Sequence, residues 1–171
     1  MRLLPLLVLA LALCLASCSG DEKLKARTEK LPAFAISLPD GWQTNIPDGM
    51  ECTVGRCIAG FTKTTSGHRE ALTVSVVPSL GKSLQEIADE TTAGLKAKDA
   101  VMDVVRQDDR CIEYRGLIKD NQARLLATID SDRQEVGILL LVGEGGGLDE
   151  VAATVQMANP KLDFGLGAGA R

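Results

Sequence analysis

The segment Glu135-Val-Gly-Ile-Leu-Leu-Leu-Val142 contains five consecutive apolar residues, 138–142, with no polar residue between them. A strand with one face in water alternates apolar and polar side chains, whereas an uninterrupted apolar run is typical of a strand covered on both faces. This segment is bounded by Ser131-Asp-Arg-Gln134 on one side and a glycine run, 143–147, on the other. The sequence therefore predicts a buried strand over 135–142, inside a sheet on which helices pack.

Several further segments have the two-residue apolar period of half-buried strands. Short stretches rich in Gly, Pro, Asp and Asn separate most of them, so consecutive strands should pair antiparallel. The predicted strands are Phe34–Leu38, 56–63, 71–77, 101–107, 110–119 and 123–130.

Two segments have helical spacing instead. Residues 83–98 begin with Ser83-Leu-Gln-Glu86, a capping box in which the serine and the glutamate each satisfy a free backbone amide. Leu148, Val151, Ala152 and Val155 predict a second helix, stopped by Asn159-Pro160. Together these elements predict a single-domain α+β fold with a central antiparallel sheet flanked by helices.

The residues Phe34-Ala-Ile-Ser-Leu-Pro-Asp-Gly-Trp42 resemble the opening strand and Leu-Pro-x-Gly-Trp turn of the PsbP-like superfamily, which includes DcrB-type envelope lipoproteins. The order of strands and helices is also similar, and the resemblance covers residues 31–160. It implies a helix-flanked antiparallel sheet and an accessory, assembly or binding role without enzymatic activity. No metal or partner residues of photosystem members match here. Trp42 has two interpretations: core packing at one end of the sheet, or contact with a ligand or partner.

The first residues of the chain have the features of an export signal. Arg2 precedes an apolar run, residues 3–15, which would span only about 20 Å as a helix, too short to cross a bilayer. Leu15-Ala16-Ser17-Cys18 then resembles a lipobox, the site at which bacterial lipoproteins are cleaved and lipidated. We therefore expect a signal peptide over 1–17 and a lipid on Cys18; a plain secretory signal is the alternative. Ser19, in place of Asp, favours the outer membrane, facing the periplasm, over the inner membrane.

These boundaries divide the chain into a signal peptide (1–17), a lipidated N-terminus with a charged tether (18–30), the folded domain (31–160) and a flexible tail (161–171). After loss of the signal, 154 of 171 residues remain, with 18 Lys and Arg (19 minus Arg2) against 23 Asp and Glu, a net charge near −5. An acidic chain with few aromatic residues is not expected to bind nucleic acid. Attachment to the membrane would depend on the lipid, since the charge gives no attraction to anionic headgroups.

The cysteines that remain besides Cys18 are Cys52, Cys57 and Cys111. Export places them where disulfides persist. Because Cys52 and Cys57 flank a glycine-containing stretch, we expect them to pair and leave Cys111 as a buried thiol; a Cys57–Cys111 bridge between neighbouring strands is the competing pairing. With His68, the three could also form a Cys₃His zinc site.

The catalytic and cofactor motifs that we sought do not match. The glycine run at 143–147 lacks the Lys-Ser/Thr of a phosphate loop and is followed by Asp149 and Glu150. His68, the single histidine, has no G-x-S-x-G partner motif, and Asp108-Asp109 lacks the calcium-loop pattern. We expect no catalytic site, no metal and no cofactor. The predicted function is a membrane-anchored envelope lipoprotein that binds a partner protein; the alternatives are a small-ligand or metal-binding lipoprotein and a thiol-dependent envelope enzyme.

Overall fold

The structure, a computed structural model, describes residues 27–144 and 146–166. The predicted signal peptide, residues 1–17, and the predicted lipidation site, Cys18, lie outside the described residues. The elements in chain order are β1 Arg27–Leu31, β2 Phe34–Leu38, β3 Gln43–Asn45, β4 Cys57–Thr65, β5 His68–Pro78, α1 Leu84–Lys96, β6 Ala100–Gln107, β7 Cys111–Ile118, β8 Asn121–Asp130, β9 Glu135–Val142, α2 Gly146–Ala152, β10 Gln156–Met157 and a 3₁₀ turn at Pro160–Leu162.

Seven strands form one antiparallel sheet in the order β3-β4-β5-β9-β8-β7-β6. Two of its hairpins close with only two residues, Ser66-Gly67 and Lys119-Asp120, all at positive φ. Such turns match the right-handed twist of paired strands. The hairpin geometry fixes the register, which pairs Thr65 with His68 and Ile118 with Asn121.

Strand β9 lies in the middle of this sheet and confirms the prediction of a strand covered on both faces. Val136, Ile138 and Leu140 belong to the core on one face, and Leu139 and Leu141 to the core on the other. The apolar run needs no polar positions because neither side of the strand meets water.

Helix α1 covers the first of these faces. Ser83 caps it, the Ser83 hydroxyl accepts from the Glu86 amide, and the Glu86 carboxylate accepts from the Ser83 amide, as the capping box predicted. The buried side of the helix packs against the sheet through Leu84, Ile87, Ala88 and Leu95.

The second face is covered differently. A three-stranded antiparallel sheet, β1-β2-β10, packs there together with α2 and the C-terminal segment that contains Leu162 and Phe164. A Cβ on Gly137 would lie 3.3 Å from the Phe164 ring and 2.9 Å from Thr128 Oγ1. The glycine therefore lets the C-terminal segment lie flat on the middle of the sheet.

The fold is α+β with a predominantly antiparallel sheet, as predicted, but the sheet is flanked by helices only in part. Only two α-helices occur among the described residues, and a small sheet provides much of the cover on the second face. Strands β3 and β10 were not predicted, because segments of three and two residues are too short to show a period.

Three predicted boundaries were also wrong. Arg27–Leu31 forms β1, paired with β2, so the last residues of the predicted tether belong to the domain. Residues 161–166 are not a free tail, since Leu162 and Phe164 are buried. The second helix stops at Ala152, well before Asn159-Pro160.

Candidate functional site

Trp42 lies in the core of the second face and is 2% exposed. Gly41, at φ 87°, turns the chain after Pro39-Asp40 and directs the indole inward. The structure therefore favours the core-packing interpretation of Trp42, because its side chain has almost no surface left for a ligand or partner.

The disulfide between Cys52 and Cys57 is present, and Cys111 is a buried free thiol, as predicted. The competing Cys57–Cys111 bridge is wrong because the two strands are not neighbours. Cys57 pairs with Val76, and the same row continues through Gly137 and Thr128 to Cys111. Four inter-strand spacings of about 4.8 Å place the two cysteines about 19 Å apart along the sheet.

His68 lies exposed beside the β4–β5 hairpin turn. Val76 and Cys111 belong to the same row of paired residues across the sheet. His68 lies eight residues along β5 from Val76, so the imidazole is about 27 Å along the strand direction from the row that contains the free thiol. The Cys₃His zinc site is wrong, since two of its thiols form the disulfide. Across 27–144 and 146–166, no group of three or more His, Cys, Asp and Glu side chains could hold a metal ion.

A cluster of charged side chains lies on the second face, where β7 and β8 extend beyond the C-terminal segment. Glu113 is 4% exposed, although it is a charged residue on a strand. Its Oε1 accepts hydrogen bonds from Nε of Arg115 at 2.6 Å and from Nε of Arg124 at 2.8 Å. Arg124 also donates from Nη1 to Asp149 on α2, at 3.1 Å. We call these four residues the arginine–glutamate cluster.

Burial alone would raise the pKa of Glu113, but the hydrogen bonds and charges of Arg124 and Arg115 outweigh it and lower the pKa below its usual value. Glu113 therefore stays ionised at neutral pH and is unsuited to donate a proton there. The Glu113 carboxylate binds the Nε groups of two arginines and thereby orients both guanidinium groups, as a positioning group does in an anion-binding site.

A groove of about 450 Å³ lies beside the cluster. Its apolar wall includes Leu141 and Leu148, and its polar lining consists of Arg115, Gln122, Arg124 and Asp149. Gly143, at φ 136°, brings the backbone close to residues 69 and 70 before α2 begins. A groove with one apolar wall and two oriented guanidinium groups can hold a carboxylate or phosphate group attached to a small apolar body.

The sequence analysis missed this cluster. The alternation of Ile112 and Tyr114 with Glu113 and Arg115 does show that the two charged side chains share a face. Arg124 joins them only because the Lys119-Asp120 turn is two residues long, which sets Arg115 opposite Arg124. The predicted strands, 110–119 and 123–130, leave three residues between them, and that spacing does not specify this register.

In comparisons with known proteins, no family model matches this chain and no curated protein is detectably similar to it.

Within the described ranges, none of the helices is long and apolar enough to span a bilayer. Cys111, the free thiol, is 4% exposed, and burial raises its pKa, so it stays a protonated and poorly reactive thiol.

Proposed function

We propose that this chain is a bacterial envelope lipoprotein, held at the membrane by a lipid on Cys18, whose folded domain binds a partner protein and catalyses no reaction. The observation that carries the proposal is the lipobox Leu15-Ala16-Ser17-Cys18 followed closely by a folded domain that begins at Arg27. The PsbP-like resemblance belongs to the same proposal. It is supported by the β2 strand, the Gly41 turn and the capped helix α1.

The spacing between lipid and domain supports a role at the membrane surface. Residues 19–26, eight in number (26 minus 18), separate Cys18 from β1. Even a fully extended chain of this length spans less than about 30 Å. The domain would thus remain within about one domain diameter of the membrane, where it meets other envelope proteins.

The arginine–glutamate cluster lies near the edge of the large sheet opposite to the one that Arg27 contacts, so a partner can reach it beside the anchor. Arg27 contacts Thr44 on β3, one edge of the large sheet, whereas the cluster lies on β7 and β8 near the other edge. Four strand spacings or more, about 20 Å, separate the two regions along the sheet. The oriented guanidinium groups suit a carboxylate on the partner.

The absence of catalysis in this proposal is argued from the chemistry of the described residues. The thiol of Cys111 is buried and far along the sheet from His68, which disfavours thiol catalysis. Glu113, the most buried carboxylate of the cluster, is ionised and held by two arginines.

The lipid anchor is tested by metabolic labelling with a palmitate analogue in a two-membrane bacterium. We expect label on the full chain and on Cys14→Ala, which changes the other cysteine of the N-terminal segment, and no label on Cys18→Ala. Density separation of the membranes should place the labelled protein in the outer membrane. Equal labelling of Cys14→Ala and Cys18→Ala, or none on the unaltered chain, would refute the anchor.

The partner is tested by cross-linking in intact envelopes followed by capture of the chain. Arg115→Ala/Arg124→Ala should lose the cross-linked species, and the control Lys96→Ala, an exposed cation on the other face, should retain it. A lack of any cross-linked protein in the unaltered chain counts against partner binding.

A second candidate, binding of a small anionic ligand, is favoured by the groove of about 450 Å³ beside Arg115 and Arg124. Native mass spectrometry of protein purified from its own host should then show added mass that Arg115→Ala/Arg124→Ala loses. A mass equal to that of the lipidated chain alone would exclude this candidate.

A further inference from the structure

The outer edge of β6 is the longest exposed edge of the large sheet. This strand is eight residues long and ends the strand order, and no strand of the described residues pairs with its outer side. The opposite edge, β3, has only three residues and is contacted by the side chain of Arg27. Exposed strand edges are templates for pairing, and proteins usually shorten, cover or charge them.

Strand β6 carries apolar side chains where an edge strand would be expected to carry charges. Val101 is 67% exposed, Val104 48% and Val105 53%, and Leu117 on the neighbouring strand is 45% exposed. Three exposed β-branched residues on one open strand form a surface suited to strand pairing.

The middle of the strand, Asp103-Val104-Val105-Arg106, is complementary in charge to a second copy of itself. When two such strands run antiparallel about the centre of the four residues, Asp103 of each copy lies opposite Arg106 of the other, and Val104 lies opposite Val105. Opposite charges at directly facing positions stabilise an antiparallel pair, and like charges destabilise it.

The β-bulge in β6 makes this pairing geometrically consistent. Residues 103 and 106 would lie on opposite faces of a regular strand. Here Asp103 pairs with Arg115 and Arg106 with Glu113, and the irregularity lies between Val104 and Arg106. Because Arg115 and Glu113 are two residues apart, the bulge places Asp103 and Arg106 on one face, as directly facing partners must be.

Both charged groups retain capacity for a new partner. The carboxylate of Asp103 makes no hydrogen bond or ion pair within the described part of the chain. The guanidinium of Arg106 holds Asp108 through Nε and Nη2, and its side chain is 49% exposed. Its Nη1 makes no hydrogen bond with the described residues.

We propose that two copies of this chain pair antiparallel through β6, about a two-fold axis perpendicular to the sheet, which joins two seven-stranded sheets into one. The two arginine–glutamate clusters then lie on the same face of the joined sheet, one on each side of the axis. A partner that recognises both clusters would need two anionic groups.

The positions of the two N-terminal strands are compatible with this pairing if both chains are anchored in one membrane, so this argument rests on the proposed lipid anchor. Strand β1 packs on the second face of the sheet, and the two-fold axis leaves the second faces of both copies on the same side. Both copies present β1, and with it the start of the folded domain, on that side, so two anchors can enter one membrane. An axis in the plane of the sheet would direct them to opposite sides.

The first test counts chains by native mass spectrometry of the full chain extracted from membranes in detergent. We expect two chains for the unaltered protein and one for Val105→Lys. The matched control is Val54→Lys, because Val54 is an equally exposed valine, 54% against 53%, in the loop between Cys52 and Cys57. Val54→Lys should retain two chains, and circular dichroism at ambient temperature should show the same folded secondary structure in both variants, so that the single chain of Val105→Lys is not the result of unfolding.

The second test uses charge reversal in two copies. Asp103→Arg places arginine opposite Arg106 of its copy, and Arg106→Asp places aspartate opposite Asp103, so each variant alone should be a single chain. Mixed together, the variants restore opposite charges at both facing positions, and a tagged Asp103→Arg chain should capture the Arg106→Asp chain. Effects within one chain, such as repulsion between the introduced arginine and Arg115, cannot be repaired by mixing.

A single chain for the unaltered protein, two chains in Val105→Lys, or no capture between the reversed variants would each overturn the proposal. Capture of a different protein by the unaltered β6 edge, in place of a second copy, would overturn it as well. Loss of palmitate label with two chains retained would refute the anchor alone, so the two proposals fail separately.

Discussion

At the scale of single residues, Gly116 shows how closely β6 and β7 approach one another. It lies opposite Met102 on β6, and a Cβ built on it would lie 1.9 Å from the carbonyl oxygen of Val101. No rotation of a side chain can relieve this contact, because the atom belongs to the backbone. The glycine is therefore required by the strand spacing at the edge of the sheet.

We predict that Gly116→Ala lowers the free energy of unfolding by about 1–3 kcal/mol, the usual cost of overpacking, and displaces β6. Urea unfolding measures the first effect, and hydrogen exchange of the β6 amides measures the second. Gly147→Ala is the control, since a Cβ there meets nothing closer than 3.9 Å and lies in a helix, where alanine is preferred. Equal stability of the two variants would show that β6 and β7 can separate without cost.

At the scale of elements, the buried side chain of Asn159 joins the C-terminal segment to two strands of the large sheet. Asn159 is 4% exposed and donates from Nδ2 to Asp130 at 2.9 Å and to Glu135 at 2.8 Å, one residue at the end of β8 and the other at the start of β9. Its Oδ1 accepts from the amide of Lys161 and so caps the 3₁₀ turn. The sequence identified Asn159-Pro160 only as a helix stop, yet the residue joins the chain end to the sheet.

We predict that Asn159→Ala lowers the free energy of unfolding by about 1–3 kcal/mol, because it removes one buried donor shared by Asp130 and Glu135 and also removes the cap. Hydrogen exchange should become faster at residues 161–166, while β4 and β5 stay protected. Asn45→Ala, which loses only a 3.5 Å contact with Thr62, should leave the segment unchanged. Unchanged exchange in Asn159→Ala would show that burial of Leu162 and Phe164 alone holds the segment.

The elements that could be predicted from sequence are those whose signal is local. Strand β9 and helix α1 were found because an apolar run and a capping box are complete within their own residues. The end of α2 was not predicted, because it depends on a residue far away in the sequence. The hydroxyl of Thr154 forms hydrogen bonds with the backbone amide and carbonyl of Ser37, at 3.0 and 3.1 Å, and these contacts hold the chain away from a helical path after Ala152. The helical spacing of apolar residues up to Val155 gives no indication of this contact, so it predicted a longer helix.

The arginine–glutamate cluster was beyond prediction for a related reason. Its members come from β7, β8 and α2, and their meeting depends on the register of one hairpin and the direction of one helix. The disulfide, in contrast, was predicted because the stretch between Cys52 and Cys57 is short enough to decide the pairing locally. When a site is built from residues on several strands, the strand register must be known before the residue types can show which side chains meet.

At the scale of the whole molecule, the two faces of the sheet are stabilised by different means. The α1 face is closed by an amphipathic helix over an almost wholly apolar core. The second face combines an apolar core with ionised groups, since Glu113, Asp108 and Asp130 all accept hydrogen bonds there or at its margin. Protonation of these carboxyls should therefore weaken the second face before the first.

We predict that the protein loses stability as the pH falls below about 5. The pKa of Glu113 is lowered despite burial, by Arg124 and Arg115; that of Asp108 is lowered by the amide of Arg110 and by Arg106, and that of Asp130 by Asn159. A carboxyl with a lowered pKa in the folded state binds protons more readily when unfolded. The contribution of such a carboxyl to stability is complete when the pH is above its ordinary pKa, 4.5 for Glu and 3.8 for Asp. The contribution disappears as the pH falls through the lower pKa that the carboxyl has in the folded state.

Glu113→Gln tests the assignment of this acid sensitivity to the cluster. The variant should be less stable at pH 7 by about 1–3 kcal/mol, since a charged acceptor for two arginines is lost. Its free energy of unfolding should then fall less steeply than that of the unaltered protein between pH 5 and pH 3, because one proton-linked group is gone. Glu150→Gln, an exposed carboxylate on α2, should leave both the plateau and the slope unchanged. Urea unfolding across this pH range measures both quantities, and an unchanged acid slope in Glu113→Gln would place the sensitivity at Asp108 and Asp130.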